Sequence, residues 1–114
     1  MRSVVVLGNI PLGTQIVKLL ESHPNATVDG VVCREEEFSF DHHAFPEEPG
    51  VYEYVRNRDI EIFELDELTT TFSDGELYLG ISARNNQVLQ EHHLDVFQKG
   101  VVNCHGGILP AYRG

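Results

Sequence analysis

Positive charge is scarce in this sequence. Its 114 residues hold 8 Lys and Arg against 18 Asp and Glu, a formal net charge of −10. Only Lys18 and Lys99 are lysines. Phosphate contacts dominate affinity for nucleic acids and anionic membranes, so this balance argues against both as partners of the chain. Cysteine is nearly absent as well. Cys33 and Cys104 cannot form a disulfide framework. No apolar run approaches the roughly 18 residues of a membrane span, and the opening SVVVLG is too short for a secretion signal. These absences lead us to expect a cytoplasmic protein with reduced thiols. Apolar residues still make up 41% of the chain, enough for a packed core and too many for disorder.

What is present alternates between strand and helix. Ser3 to Leu7 is a continuous β-branched run, as expected of a strand covered on both faces. The turn Gly8-Asn9-Ile10-Pro11-Leu12-Gly13 leads into a helix from about Gly13 to Ser22, striped by Ile16, Val17, Leu19 and Leu20, and Pro24 stops it. A second strand is expected over Thr27 to Cys33. Arg34 to Gly50 has no clean period and reads as an irregular loop. A helix over Val51 to Asn57 follows, then a third strand over Ile60 to Phe63 and a brief helix or turn over Glu64 to Phe72. The fourth strand is expected over Glu76 to Ile81, a helix over Asn85 to His93, and the fifth strand over Gly100 to Cys104. Strands joined by such crossovers imply one α/β domain with a Rossmann-like parallel sheet in the order 3-2-1-4-5. Ligands of such sheets collect beyond the carboxyl ends of the strands. That edge would gather Gly8 to Gly13, the loop near Ser82 to Asn86, and the closing NCHGGILPAYRG.

The chemistry of these stretches differs in weight. A glycine turn entering a helix can offer backbone N–H groups to an anion, and it can equally be a plain βα turn. No Lys-Ser/Thr follows Gly13 and the third glycine of a dinucleotide fingerprint is missing. The pairs His42-His43 and His92-His93 suggest metal. Adjacent side chains on a helix or strand point to different faces, so the pairs read as exposed loop and helix-surface histidines with no metal site. The closing stretch says more. Asn103 and His105 fall on one face at the end of the fifth strand by the two-residue period. A carboxamide can donate to a developing oxyanion, and an imidazole can accept and return a proton. Gly106-Gly107 lets a ligand approach the backbone, and Pro110 stiffens the turn.

The stretch from Asn103 to Gly114 resembles the signature of the folate-dependent formyltransferases, which include methionyl-tRNA, glycinamide ribonucleotide and sugar N-formyltransferases. Its register is Asn-x-His, a small pair, Leu-Pro and a terminal Arg-Gly. SVVVLGN resembles the family's first βα unit and LYLGISARN its fourth strand and folate loop, so the resemblance spans the amino-terminal portion of the catalytic domain. It implies transfer of a formyl group from 10-formyl-tetrahydrofolate to a primary amine. Asn103 would hold the oxyanion, and His105 would stabilise it and move protons. The folate would lie against Ile81, Ser82, Ala83, Arg84 and Asn85 and along Gly107, Ile108, Leu109 and Pro110. Gly8, Asn9, Ile10, Pro11, Leu12 and Gly13 would face the amine substrate.

Three departures stand beside the match. The family's catalytic Asp lies beyond the closing motif, Gly107 replaces a common serine, and Ser82 to Asn85 is more polar than in relatives. The chain is accordingly expected to be a piece of a longer domain, inactive alone, with an uncovered sheet edge through which two copies could pair. The acidic composition favours a small acceptor such as a sugar-nucleotide amine over tRNA. Two other readings remain open: a non-catalytic ligand-binding or assembly module of the same fold, and a nicotinamide-binding domain in which Glu35 would meet the ribose.

Overall fold

The computed structural model describes residues 1–35, 48–83 and 87–104. These form five parallel strands, β1 (Arg2–Leu7), β2 (Ala26–Val32), β3 (Ile62–Phe63), β4 (Leu79–Ala83) and β5 (Val101–Cys104), in the order β3-β2-β1-β4-β5. The expected α/β class and strand order are what the chain adopts.

Two faces of the sheet carry separate cores, and strand alternation decides which residue enters which. Val6 and Val31 turn toward helices α1 (Pro11–Glu21) and α2 (Val51–Val55), where they pack with Val17, Val51, Val55 and Cys33. Val5, Leu7 and Val32 turn the other way, onto Phe63, Leu65, Leu77, Val96 and Phe97, with Leu68 of helix α3 (Glu67–Thr71). The one-turn helix α4 (Glu91–Leu94) packs beside α3.

Several boundaries differ from the sequence reading, each for a local reason. Helix α1 begins at Pro11, because a proline at the first helical position needs no N–H partner and its φ is already helical. Between Val4 and Val5 the pairing with β2 slips by one residue, from Val4↔Val28 to Val5↔Gly30, leaving exposed Asp29 as a bulge. Residues 76–78 precede β4 rather than belong to it; there Leu77 pairs with Phe97 in an isolated bridge. Residues 87–90 are not helical, so the expected helix shrinks to α4. Among the described residues no helix is long and apolar enough to cross a membrane.

Candidate functional site

One row of paired residues crosses all five strands at their carboxyl ends. Phe63 pairs with Val32, Val32 with Leu7, Leu7 with Ser82, and Ser82 with Asn103. Paired residues in a parallel sheet project to the same face, so this row faces α3 and α4. Its first three members are core. Ser82 is buried, and Asn103 is exposed on β5 at the far end. Val101, two residues before Asn103, packs against the same core and confirms the facing. The row thus passes from hydrocarbon to a solvent-accessible carboxamide.

The glycine turn closes onto this edge. Gly8 adopts φ +138°, and a Cβ there would lie 2.5 Å from the carbonyl oxygen of Ala83. The chain leaving β1 is therefore pressed against the end of β4. Gly8 N–H donates to Val32 O at 2.9 Å, and Gly13 N–H donates to Ile10 O at 2.9 Å. Both glycine amides are thus engaged within the protein and do not point outward to an anion. The Asn9 carbonyl accepts from Val51 N–H, its Oδ1 accepts from Arg34 N–H, and Thr14 Oγ1 donates to Pro49 O. Gln15 and Lys18 both reach the Glu48 carboxylate. Segment 48–51 consequently seals one flank of the turn. Gly8, Pro11 and Gly13 are buried, while Asn9, Ile10 and Leu12 are half-buried and form its accessible part.

Of the other residues singled out in the sequence, Ile81 is half-buried on β4, whereas Ser82 and Ala83 are 3% and 0% exposed. The side chains of Ser82 and Ala83 are therefore sealed on opposite faces of the sheet, Ser82 toward α3 and α4 and Ala83 against α1, and offer a ligand little surface. Arg84, Asn85, His105 and Gly107 to Pro110 lie outside the described residues, as do His42 and His43. Cys104, which pairs with Ala83, is half-buried. The Cys33 thiol is buried, and desolvation pushes its pKa up to about 12. It is an inert core group rather than a nucleophile.

The structure also brings together a group that sequence reasoning treated as unrelated surface. His93 is 4% exposed, not a helix-surface residue. Its Nδ1 accepts the backbone N–H of Gln90 at 2.9 Å, so its proton sits on Nε2, which donates to Asp66 Oδ1 at 2.8 Å. His92 Nε2 lies 4.0 Å from the same oxygen, and the two rings are 4.0 Å apart between centroids. Adjacent residues diverge along a long helix, but α4 has a single turn and the His93 ring folds back to its start. The spacing Gln90-x-x-His93 at a helix start was the only local signal, and it does not reveal Asp66.

The fold and this edge define a parallel α/β protein whose candidate chemistry sits beyond the ends of β1, β4 and β5. No protein-family model matches the chain. It is similar along its whole length to a curated methionyl-tRNA formyltransferase of Pediococcus pentosaceus, with 28% identity over 119 residues. The chain spans 37% of that relative's length. The resemblance to the amino-terminal part of a formyltransferase, read from the closing motif, is thus met by a relative of that name.

Proposed function

We propose that the chain is the amino-terminal part of an enzyme that moves a formyl group from 10-formyl-tetrahydrofolate to a primary amine. The observation that carries this reading is the strand-end row, which sets the Asn103 carboxamide on the accessible carboxyl edge of the sheet beside the end of β4. The similarity to a formyltransferase gives that carboxamide a reaction.

In the proposed reaction the acceptor nitrogen attacks the formyl carbon, the carbonyl oxygen becomes an oxyanion, and the C–N bond to folate breaks as the tetrahedral adduct collapses. Asn103 donates its amide N–H to the oxyanion. His105 takes the proton that the amine loses and returns it to the departing folate nitrogen. The accessible part of the glycine turn, Asn9 to Leu12, faces the acceptor. Donor contacts run over Ile81 to Asn85 and Gly107 to Pro110.

The acceptor is a small amine, such as that of an amino-sugar nucleotide. A chain of net charge −10 repels a polyphosphate backbone. The relative's name points instead to methionyl-tRNA, and one assay separates the two. The full-length protein, given 10-formyl-tetrahydrofolate and each acceptor in turn, is expected to release tetrahydrofolate with an amino-sugar nucleotide. Turnover with methionyl-tRNA alone would replace the acceptor, and no turnover with any amine would remove the enzyme reading.

A further inference from the structure

Asp66, His92 and His93 form a cluster that the formyl-transfer reading does not use. The geometry points to a binding site for a zinc-class divalent cation, made by the Asp66 carboxylate and the Nε2 atoms of both histidines. One ligand atom from each of the three residues lies within 4.8 Å of the others. A tetrahedral ion with bonds of about 2.0–2.1 Å holds its ligands roughly 3.3 Å apart. The two separations to Asp66 Oδ1, 2.8 Å from His93 and 4.0 Å from His92, straddle that value. Small rotations of His92 and Asp66 complete the fit, and both are free to make them, at 57% and 89% exposure. His93, which is 4% exposed, supplies the buried corner.

Two imidazoles and one carboxylate suit zinc, cobalt or nickel and do not suit magnesium, which prefers an all-oxygen octahedron. The cluster lines a cleft of about 610 Å³ beside α3 and α4, where Leu65, Thr69, Thr70, Gln87, Val88 and Gln90 leave room for water or an added ligand. The chain's negative charge raises the local concentration of any cation.

Binding requires a proton to move. His93 now carries its proton on Nε2, pointed at Asp66, and the metal needs that lone pair. The ring's single proton passes through solvent from Nε2 to Nδ1, where it would face the Gln90 N–H 2.9 Å away, so the start of α4 must shift to part the two donors. Occupancy of the site therefore alters the start of α4, a signature that a casual surface histidine would lack.

The test is titration of the protein with Co²⁺, read by its visible absorption, followed by displacement with Zn²⁺. One site per chain is expected, indifferent to millimolar Mg²⁺. Asp66→Asn and His92→Gln, both at exposed positions, should each weaken Zn²⁺ binding by at least about tenfold. His42→Gln/His43→Gln should not. Nitrogen NMR of the His93 ring should report a change from the Nε2–H to the Nδ1–H tautomer on adding Zn²⁺. Absence of binding, binding untouched by the Asp66 and His92 variants, loss in the His42/His43 variant, or an unchanged His93 tautomer would each overturn the site.

Discussion

Single residues on the carboxyl edge of the sheet are constrained by contact. Gly8 is required twice over: its φ of +138° is open to few L side chains, and the carbonyl of Ala83 occupies the space of a Cβ. Gly8→Ala is expected to cost about 2–3 kcal/mol in urea unfolding; a loss below about 0.5 kcal/mol would mean that β1 and β4 are not pressed together there. Gly30 has another cause, the ring of Phe63, which lies 2.4 Å from where its Cβ would stand. Nothing in the sequence around Gly30 shows this, because the contact joins β2 to β3. The two cysteines offer a second check. At pH 8 a thiol reagent should label half-buried Cys104 in the folded protein and Cys33 only on unfolding. Burial raises the folded Cys33 pKa above its ordinary 9.0, to about 12. Its contribution to stability is therefore complete below pH 9 and is lost as pH rises toward 12, since only the unfolded thiol ionises in that window. Equal labelling of both thiols at pH 8 would contradict the packing.

At the scale of elements, the strands were the most legible part of the sequence. β1 and β2 announce themselves through β-branched runs that need no tertiary context, and their parallel order follows from the crossovers. The bulge at Asp29 was hidden, because a bulge is a property of a pair of strands and not of one. Helix α4 was overextended for a similar reason. Residues 87–90 have helical composition, yet the buried His93 ring takes the Gln90 N–H and fixes the true start of the turn. Replacing His93 with Ala removes both of its hydrogen bonds and leaves a cavity. It is expected to lower the unfolding free energy by about 3 kcal/mol. Asp66→Asn keeps an acceptor for Nε2–H and should cost under about 1 kcal/mol. If His93→Ala proved as mild as Asp66→Asn, the ring would not be the anchor of α4.

For the molecule as a whole, charge is the feature most plainly written in the sequence and most easily tested. Ten excess negative charges repel one another in the compact state, and added salt screens that repulsion. Raising NaCl from about 0.05 M to about 0.5 M, which shortens the screening length severalfold, should raise Tm by a few degrees. A fall in Tm would mean that attractive pairs such as Arg58–Glu21, 3.1 Å apart, outweigh the net repulsion. Part of the candidate site was legible at this scale too. The topology alone predicted that the glycine turn, the end of β4 and Asn103 would meet, and the row from Phe63 to Asn103 brings β1, β4 and β5 together in that way. What the sequence could not reveal was that the Ser82 and Ala83 side chains would be buried, one on each face, and that the glycine amides would be engaged from within. Both depend on packing between segments far apart in the chain.

Asn103 carries the proposed chemistry, and one comparison tests it directly. Formyl transfer by the full-length protein should be measured for wild type and Asn103→Ala, with kcat and the donor KM determined separately. Loss of an oxyanion donor predicts a fall in kcat of about 10²–10³-fold with the donor KM changed by no more than a few-fold. A variant whose kcat stays within a few-fold of wild type would contradict the assignment of the strand-end carboxamide to the reaction.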